Sequence, residues 1–137
     1  MLQRIQSIWL LLAGVAAILT IKLPFYSGIQ EPTIPYNELN AVTGGIVLLL
    51  VTITIAVIAF VTIFLYKNRT IQLRLCVVAI IMEALLIFLY YRQIAIYTKG
   101  TFALTSILHM CILLFFVLAA RGINKDEKLI KDSNRLR

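Results

Sequence analysis

Glu83 is the one acid inside the long apolar stretch from Ile71 to Tyr91, and His109 is the one histidine in the chain. A carboxylate at the centre of a bilayer costs roughly 2.5–3.5 kcal/mol on insertion scales, so something must compensate it. Glu83 lies 12 residues after Ile71, and His109 lies 12 residues before Arg121. At a helical rise both stand about 18 Å in from the same, basic side of their apolar runs. The two runs are neighbours in sequence joined by a short loop, so an acid and an imidazole reach one depth on antiparallel segments. Two readings follow. In one the pair handles protons, because His exchanges its proton closest to neutral pH of all side chains. In the other each side chain satisfies its partner and fixes the rotation of two helices. Ser106 is expected one turn from His109 on the same face.

The elements that must position this pair are apolar. The chain has 137 residues, of which 61% are hydrophobic and 14% charged, and its mean hydropathy is +0.96. Soluble domains carry nearer 45–50% apolar and about 25% charged residues. The composition predicts an all-α integral membrane protein, a single transmembrane domain over residues 1–137 arranged as a four-helix bundle. Spans are expected at 5–25, 41–66, 71–91 and 101–120, with a short charged cytoplasmic helix or tail at 121–137. The first run continues past the small-residue cluster at Ala13–Ala17, which suits an uncut helix better than a signal peptide. The second run is rich in Val, Ile and Thr. Its length favours a helix, the form that satisfies its own backbone in lipid. Gly44-Gly45 near its start is expected to allow close helix contact. The segment 26–40, with Pro32 and Pro35, reads as an extended or turning loop, and 92–100 reads as a second short loop.

Charge sets the orientation. Ten of the thirteen basic residues flank one side of these spans, among them Arg4, Lys67, Arg69, Arg74, Arg121, Lys125 and Lys128. Lys22, Arg92 and Lys99 lie on the other. The positive-inside rule then places both termini of a multi-pass membrane protein in the cytoplasm. Because the charge sits at the ends of apolar runs, the net +7 speaks for the membrane surface and not for nucleic acid.

Other chemistries find no residues. One His gives no second axial ligand for haem. Cys76 and Cys111 are single, fall within apolar runs and read as core residues. No metal cluster, Gly-rich phosphate loop or Ser–His–Asp set is present. No enzyme activity, cofactor or small-molecule ligand is expected. In the tail, Glu127 and Lys131 are spaced as a favourable helical pair, and Ile123, Leu129 and Ile130 form a narrow apolar stripe. Arg69 or Arg74 is expected to pin Asp126 or Glu127 through paired hydrogen bonds at the membrane edge.

Three patches carry a resemblance. The opening Leu2-Gln3-Arg4-Ile5-Gln6-Ser7, the turn Phe64-Leu65-Tyr66-Lys67-Asn68-Arg69 with Gln72-Leu73-Arg74-Leu75-Cys76, and the end from Arg121-Gly122-Ile123 through Lys125-Asp126-Glu127 to Asn134-Arg135-Leu136-Arg137 resemble domain of unknown function family 4293. That resemblance implies a small four-span inner-membrane protein of Bacteroidota. It brings a fold and a location but no activity. All three patches fall on the side assigned to the cytoplasm, and Glu83 and His109 lie outside them. They point to a surface built from Gln3, Arg4, Lys67, Asn68, Arg69, Arg74, Asp126 and Glu127.

Two functions are carried forward. The first is a non-enzymatic structural or accessory subunit that docks a protein partner in a larger membrane complex through this face. The second is a small proton- or ion-coupled transporter, working as a homo-oligomer with Glu83 as carrier. A cavity that water can enter at Glu83 favours transport, and a sealed contact with His109 favours structure.

Overall fold

The computed structural model describes residues 2–30 and 34–135; the side chains of residues 2–4, 30, 34–36 and 134–135 lie outside that description. The described elements run α1 (Leu2–Thr20), β1 (Tyr26–Gln30), β2 (Ile34–Leu39), α2 (Ile46–Phe64), α3 (Arg69–Ile94), β3 (Lys99–Phe102), a 3-10 turn (Leu104–Ser106) and α4 (Ile107–Arg135). α1 packs on α2 and α4, and α3 packs on the same two helices.

Each helix buries one stripe whose spacing alternates between three and four residues. The stripes are Gln6, Leu10, Ala13, Ala17 and Thr20 on α1; Leu48, Thr52, Ile55, Ala59 and Thr62 on α2; Gln72, Cys76, Ala79, Glu83, Leu86 and Tyr90 on α3; and His109, Ile112, Phe116, Ala119, Ile123 and Asp126 on α4. A seven-residue repeat of this kind keeps a single seam facing inward along helices that cross at small angles. The seams are small or polar and the outside is large and apolar. Ile46, Phe64, Ile81, Phe88 and Met110 are each more than half exposed. Small residues let backbones approach: a Cβ on Gly14 would stand 3.1 Å from the Phe60 ring and 3.3 Å from Ala59. The hydroxyls of Thr52, Thr54 and Thr62 donate to the carbonyls of Leu48, Leu50 and Ile58, one turn back. A β-prone sequence thus stays helical with its polar atoms satisfied inside its own helix.

Helix limits differ from the sequence expectation at three places. The first helix ends at Thr20, whose hydroxyl donates to the Ala17 carbonyl at 2.8 Å, and the chain to residue 25 leads into a strand. The second helix begins at Ile46, because Gly45 has φ 111° and breaks the helix before it. Gly44-Gly45 therefore forms a helix entry, and the Gly44 carbonyl accepts from the Gln93 amide of α3 at 2.9 Å. The fourth helix begins at Ile107 and not at 101, and it continues unbroken to Arg135. A charged sequence with a 2.8 Å Glu127–Lys131 pair at i,i+4 sustains it through the expected tail.

The fold is not all-α, since the two expected loops pair. β1 lies between β2 and β3, antiparallel to both. Tyr26 stands opposite Leu39 on one side and Phe102 on the other. Gly28 faces Gly100, where a Cβ on Gly28 would meet the Lys99 carbonyl at 2.5 Å and one on Gly100 the Ser27 carbonyl at 2.6 Å. Pro35 is accommodated because β2 is an edge strand. The ladder extends past the strand ends: Phe25 N–H donates to the Leu39 carbonyl at 2.7 Å, and Ala103 N–H donates to the Phe25 carbonyl at 3.1 Å.

Candidate functional site

The inward stripe of α3 carries Glu83 into the helix packing with 0% of its surface exposed. α3 has 26 residues with neither Gly nor Pro between Arg69 and Ile94, so the position of Glu83 is set by a continuous helix. His109 arrives from the opposite direction. The 3-10 turn at Leu104–Ser106, held by the Ser106 N–H to the Ala103 carbonyl, aims the first turn of α4 at α3. The Thr105 hydroxyl donates to the Pro24 carbonyl and ties this turn to the stretch between α1 and β1.

His109 Nδ1 and Glu83 Oε1 are 2.7 Å apart, both buried. One hydrogen bond joins them, and its proton sits on Nδ1 when the carboxylate is ionised. Two rings close the pair, those of Phe25 and Tyr90. Phe25 stacks on Tyr90 at 4.5 Å, and the His109 ring meets each of them edge-on at 5.2 Å. Within this enclosure Glu83 Oε2 and the Tyr90 hydroxyl make no hydrogen bond to the described residues. The structure thus brings Glu83 and His109 together, and it does so near the sheet, in the first turn of α4. Ser106 is not on that helix; it lies in the 3-10 turn and borders the same cavity as His109. Phe25 and Tyr90 complete the arrangement without having been singled out in the sequence, although Tyr90 keeps the spacing of the buried stripe.

The second group of residues sits at the other end of the helices. Lys67 and Arg74 are exposed, Arg69 is half-buried, and Asn68 caps α3 without a side-chain hydrogen bond. The side chains of Gln3 and Arg4 fall outside the described residues. Neither Arg69 nor Arg74 forms an ion pair among the described residues. The expected arginine clamp on Asp126 or Glu127 is corrected: Asp126 accepts a 2.6 Å hydrogen bond from the Gln6 amide and is buried with it. Glu127 pairs with Lys131 on its own helix. Gln6 reaches Asp126 because Gly122 leaves room; a Cβ there would stand 2.8 Å from Gln6 Cγ. Gln72 is likewise buried, donating to the Thr62 carbonyl at 3.2 Å. Gln6, Arg69, Gln72 and Tyr66 line a cleft of about 440 Å³. The sequence signal for Gln6 and Gln72 was present, since both fall in the patches that carry the family resemblance and both keep the buried spacing.

Of the apolar stripe expected in the tail, Ile123 is buried while Leu129 and Ile130 are exposed. Among the described residues no group of three His, Cys, Asp or Glu side chains could hold a metal ion. Among the described residues three helices, α2, α3 and α4, are long and apolar enough to cross a membrane, and the apolar part of α1 is shorter, Ile5–Thr20.

Neither the curated proteins nor the solved structures yield a match to this chain. Residues 2–136 match a family described as a domain of unknown function, DUF4293, and the chain with its buried Gln6–Asp126 and Gln72 contacts belongs to that family.

Proposed function

We propose that this is a four-span protein of the bacterial inner membrane with both termini in the cytoplasm, serving as a non-enzymatic accessory subunit of a larger complex. The outside of the helices supports the membrane reading. Large apolar residues cover it while Ala, Thr, Gln, Glu and His face inward, the arrangement expected where lipid and not water is the solvent. The ten-to-three bias of basic residues supports the orientation.

One observation carries the docking role. α4 continues past its last buried residue, Asp126, as a helix whose side chains from Lys128 to Ser133 are all exposed. It carries Leu129 and Ile130 at 52% and 46% exposure among Lys128, Lys131 and Asp132. A basic helical rod with two apolar residues, fixed at its base by Gln6–Asp126, suits a protein partner at the membrane edge. The transporter alternative is less well supported, because Glu83 is wholly enclosed and bonded to His109. The test is affinity capture from mild detergent at matched expression. Leu129→Asp/Ile130→Asp should stay in the membrane and lose the protein that co-purifies with the wild type. Glu83→Gln should retain it. The opposite pattern rejects docking and favours transport.

A further inference from the structure

His109 has a second face. A cavity of about 260 Å³ opens between the outer sides of α3 and α4, with Phe25, Phe102, Ile87 and Met110 in its wall and His109, Ser106 and Tyr91 as its polar residues. Phe102 and Met110 are 60% and 63% exposed, so the mouth opens sideways onto the apolar outer surface. His109 itself is 2% exposed. Its Nδ1 is committed to Glu83. The other ring nitrogen, Nε2, takes no part in that bond.

We propose that this cavity binds a single-ring, oxygen-bearing apolar molecule of the quinone or quinol class, held by a hydrogen bond between the ring oxygen and His109 Nε2. Four features select that chemistry. Aromatic and aliphatic walls take a flat ring. The volume lies just below the roughly 300–1,000 Å³ of sites for larger ligands, which fits one ring and not a fused system. The sideways mouth admits a solute dissolved in lipid and leaves a prenyl tail outside. The Glu83–His109 pair lets one nitrogen meet either form. With Glu83 ionised and His109 neutral, the Nδ1 proton faces Glu83 and Nε2 accepts from a quinol hydroxyl. With one more proton on the pair, Nε2–H donates to a quinone carbonyl. The proposal concerns binding only, and it stands independently of any partner at the far end of the helices.

The test uses the full chain, purified in micelles, with a short-chain ubiquinone labelled with carbon-13 at its carbonyls. Infrared difference spectra read the carbonyl stretch, which falls in frequency when the oxygen accepts a hydrogen bond. The expected result is a saturable, down-shifted band at one quinone per chain. Glu83→Leu/His109→Leu should abolish the shift and weaken binding about tenfold or more. Ile87→Phe, which fills the cavity and leaves the pair intact, should weaken binding similarly. Butylbenzene, which has a ring but no oxygen, should compete poorly. The proposal is overturned by the absence of a saturable shifted band in the wild type. It is equally overturned by unchanged binding in Ile87→Phe, or by butylbenzene competing as well as the quinone, which would mark the cavity as a gap for acyl chains.

Discussion

The amide of Gln6 and the carboxylate of Asp126 are 120 positions apart in sequence and 2.6 Å apart in space. They join the start of α1 to a point far along α4, and both are buried. Together with Glu83–His109 near the sheet, they fasten α4 by a polar contact towards each end of its buried stripe. In an apolar surround such contacts fix which helix faces meet, because apolar side chains alone discriminate weakly between rotations.

The buried pair gives the first prediction. His109→Leu strands an enclosed carboxylate, and breaking a buried pair from one side costs about 3–5 kcal/mol. Glu83→Leu/His109→Leu replaces both by apolar groups of similar size and should recover most of that loss. Reversible unfolding in mixed micelles measures both variants. If the single substitution proves as mild as the double one, the contact does not hold the helices.

The sheet gives the second. Gly28 and Gly100 face each other with no space for a Cβ on either. Gly100→Val should separate β3 from β1 and free the 3-10 turn that aims His109, whereas Gly45→Ala meets no neighbour and is strained only through its positive φ. Amide exchange at Ala103 and Thr98, whose N–H groups bond to Phe25 and Ile29, should rise strongly in Gly100→Val and hardly at all in Gly45→Ala.

Much of the helical layout was legible because length and apolarity alone specify it. The third helix lies within three residues of its expected limits, and the second begins five residues late. Glu83 on α3 and His109 on α4 were read in advance as facing each other, whereas Gln72 and Asp126, which keep the same buried spacing, were not. The sheet was not legible for a physical reason. Tyr26–Gln30 and Lys99–Phe102 are short and polar, with two glycines that weaken any strand signal, and their partner lies some seventy residues away. Local sequence says nothing about such pairing. The arginine clamp failed because charge was weighed above burial. Asp126 lies on the inward stripe, where a neutral amide reaches it and a long, solvated guanidinium does not.

Orientation gives the third prediction. In a background carrying Cys76→Ala and Cys111→Ala, a cysteine at Lys99 should react with an impermeant maleimide added to intact spheroplasts. A cysteine at Lys128 should react only after lysis. Both positions are exposed, so accessibility within the protein does not separate them. The reverse pattern would invert the positive-inside assignment and move the α4 rod outside the cell.

The last prediction concerns how the rod is held. If docking depends on α4 standing at a fixed angle, loosening its base should weaken docking without touching a docking residue. Gln6→Leu leaves Asp126 buried without its donor, and losing a hydrogen bond to a charged group costs about 1.5–3 kcal/mol. Asp126→Asn keeps an acceptor for the Gln6 amide, so it should behave nearly as wild type. Arg69 and Arg74 make no ion pair among the described residues, and reversing them to Glu should change stability by no more than about 0.5 kcal/mol. Three readings separate the outcomes: amide exchange along 124–133, unfolding free energy and capture of the partner. Gln6→Leu should speed exchange and reduce capture, and Asp126→Asn should do neither. Arg69→Glu/Arg74→Glu should leave exchange unchanged and still reduce capture, since Arg69 shares a cleft with Gln6, the residue that anchors the rod. Full capture by Gln6→Leu despite faster exchange would show that the rod docks as a flexible segment, and the anchoring contact would then serve the helix packing alone.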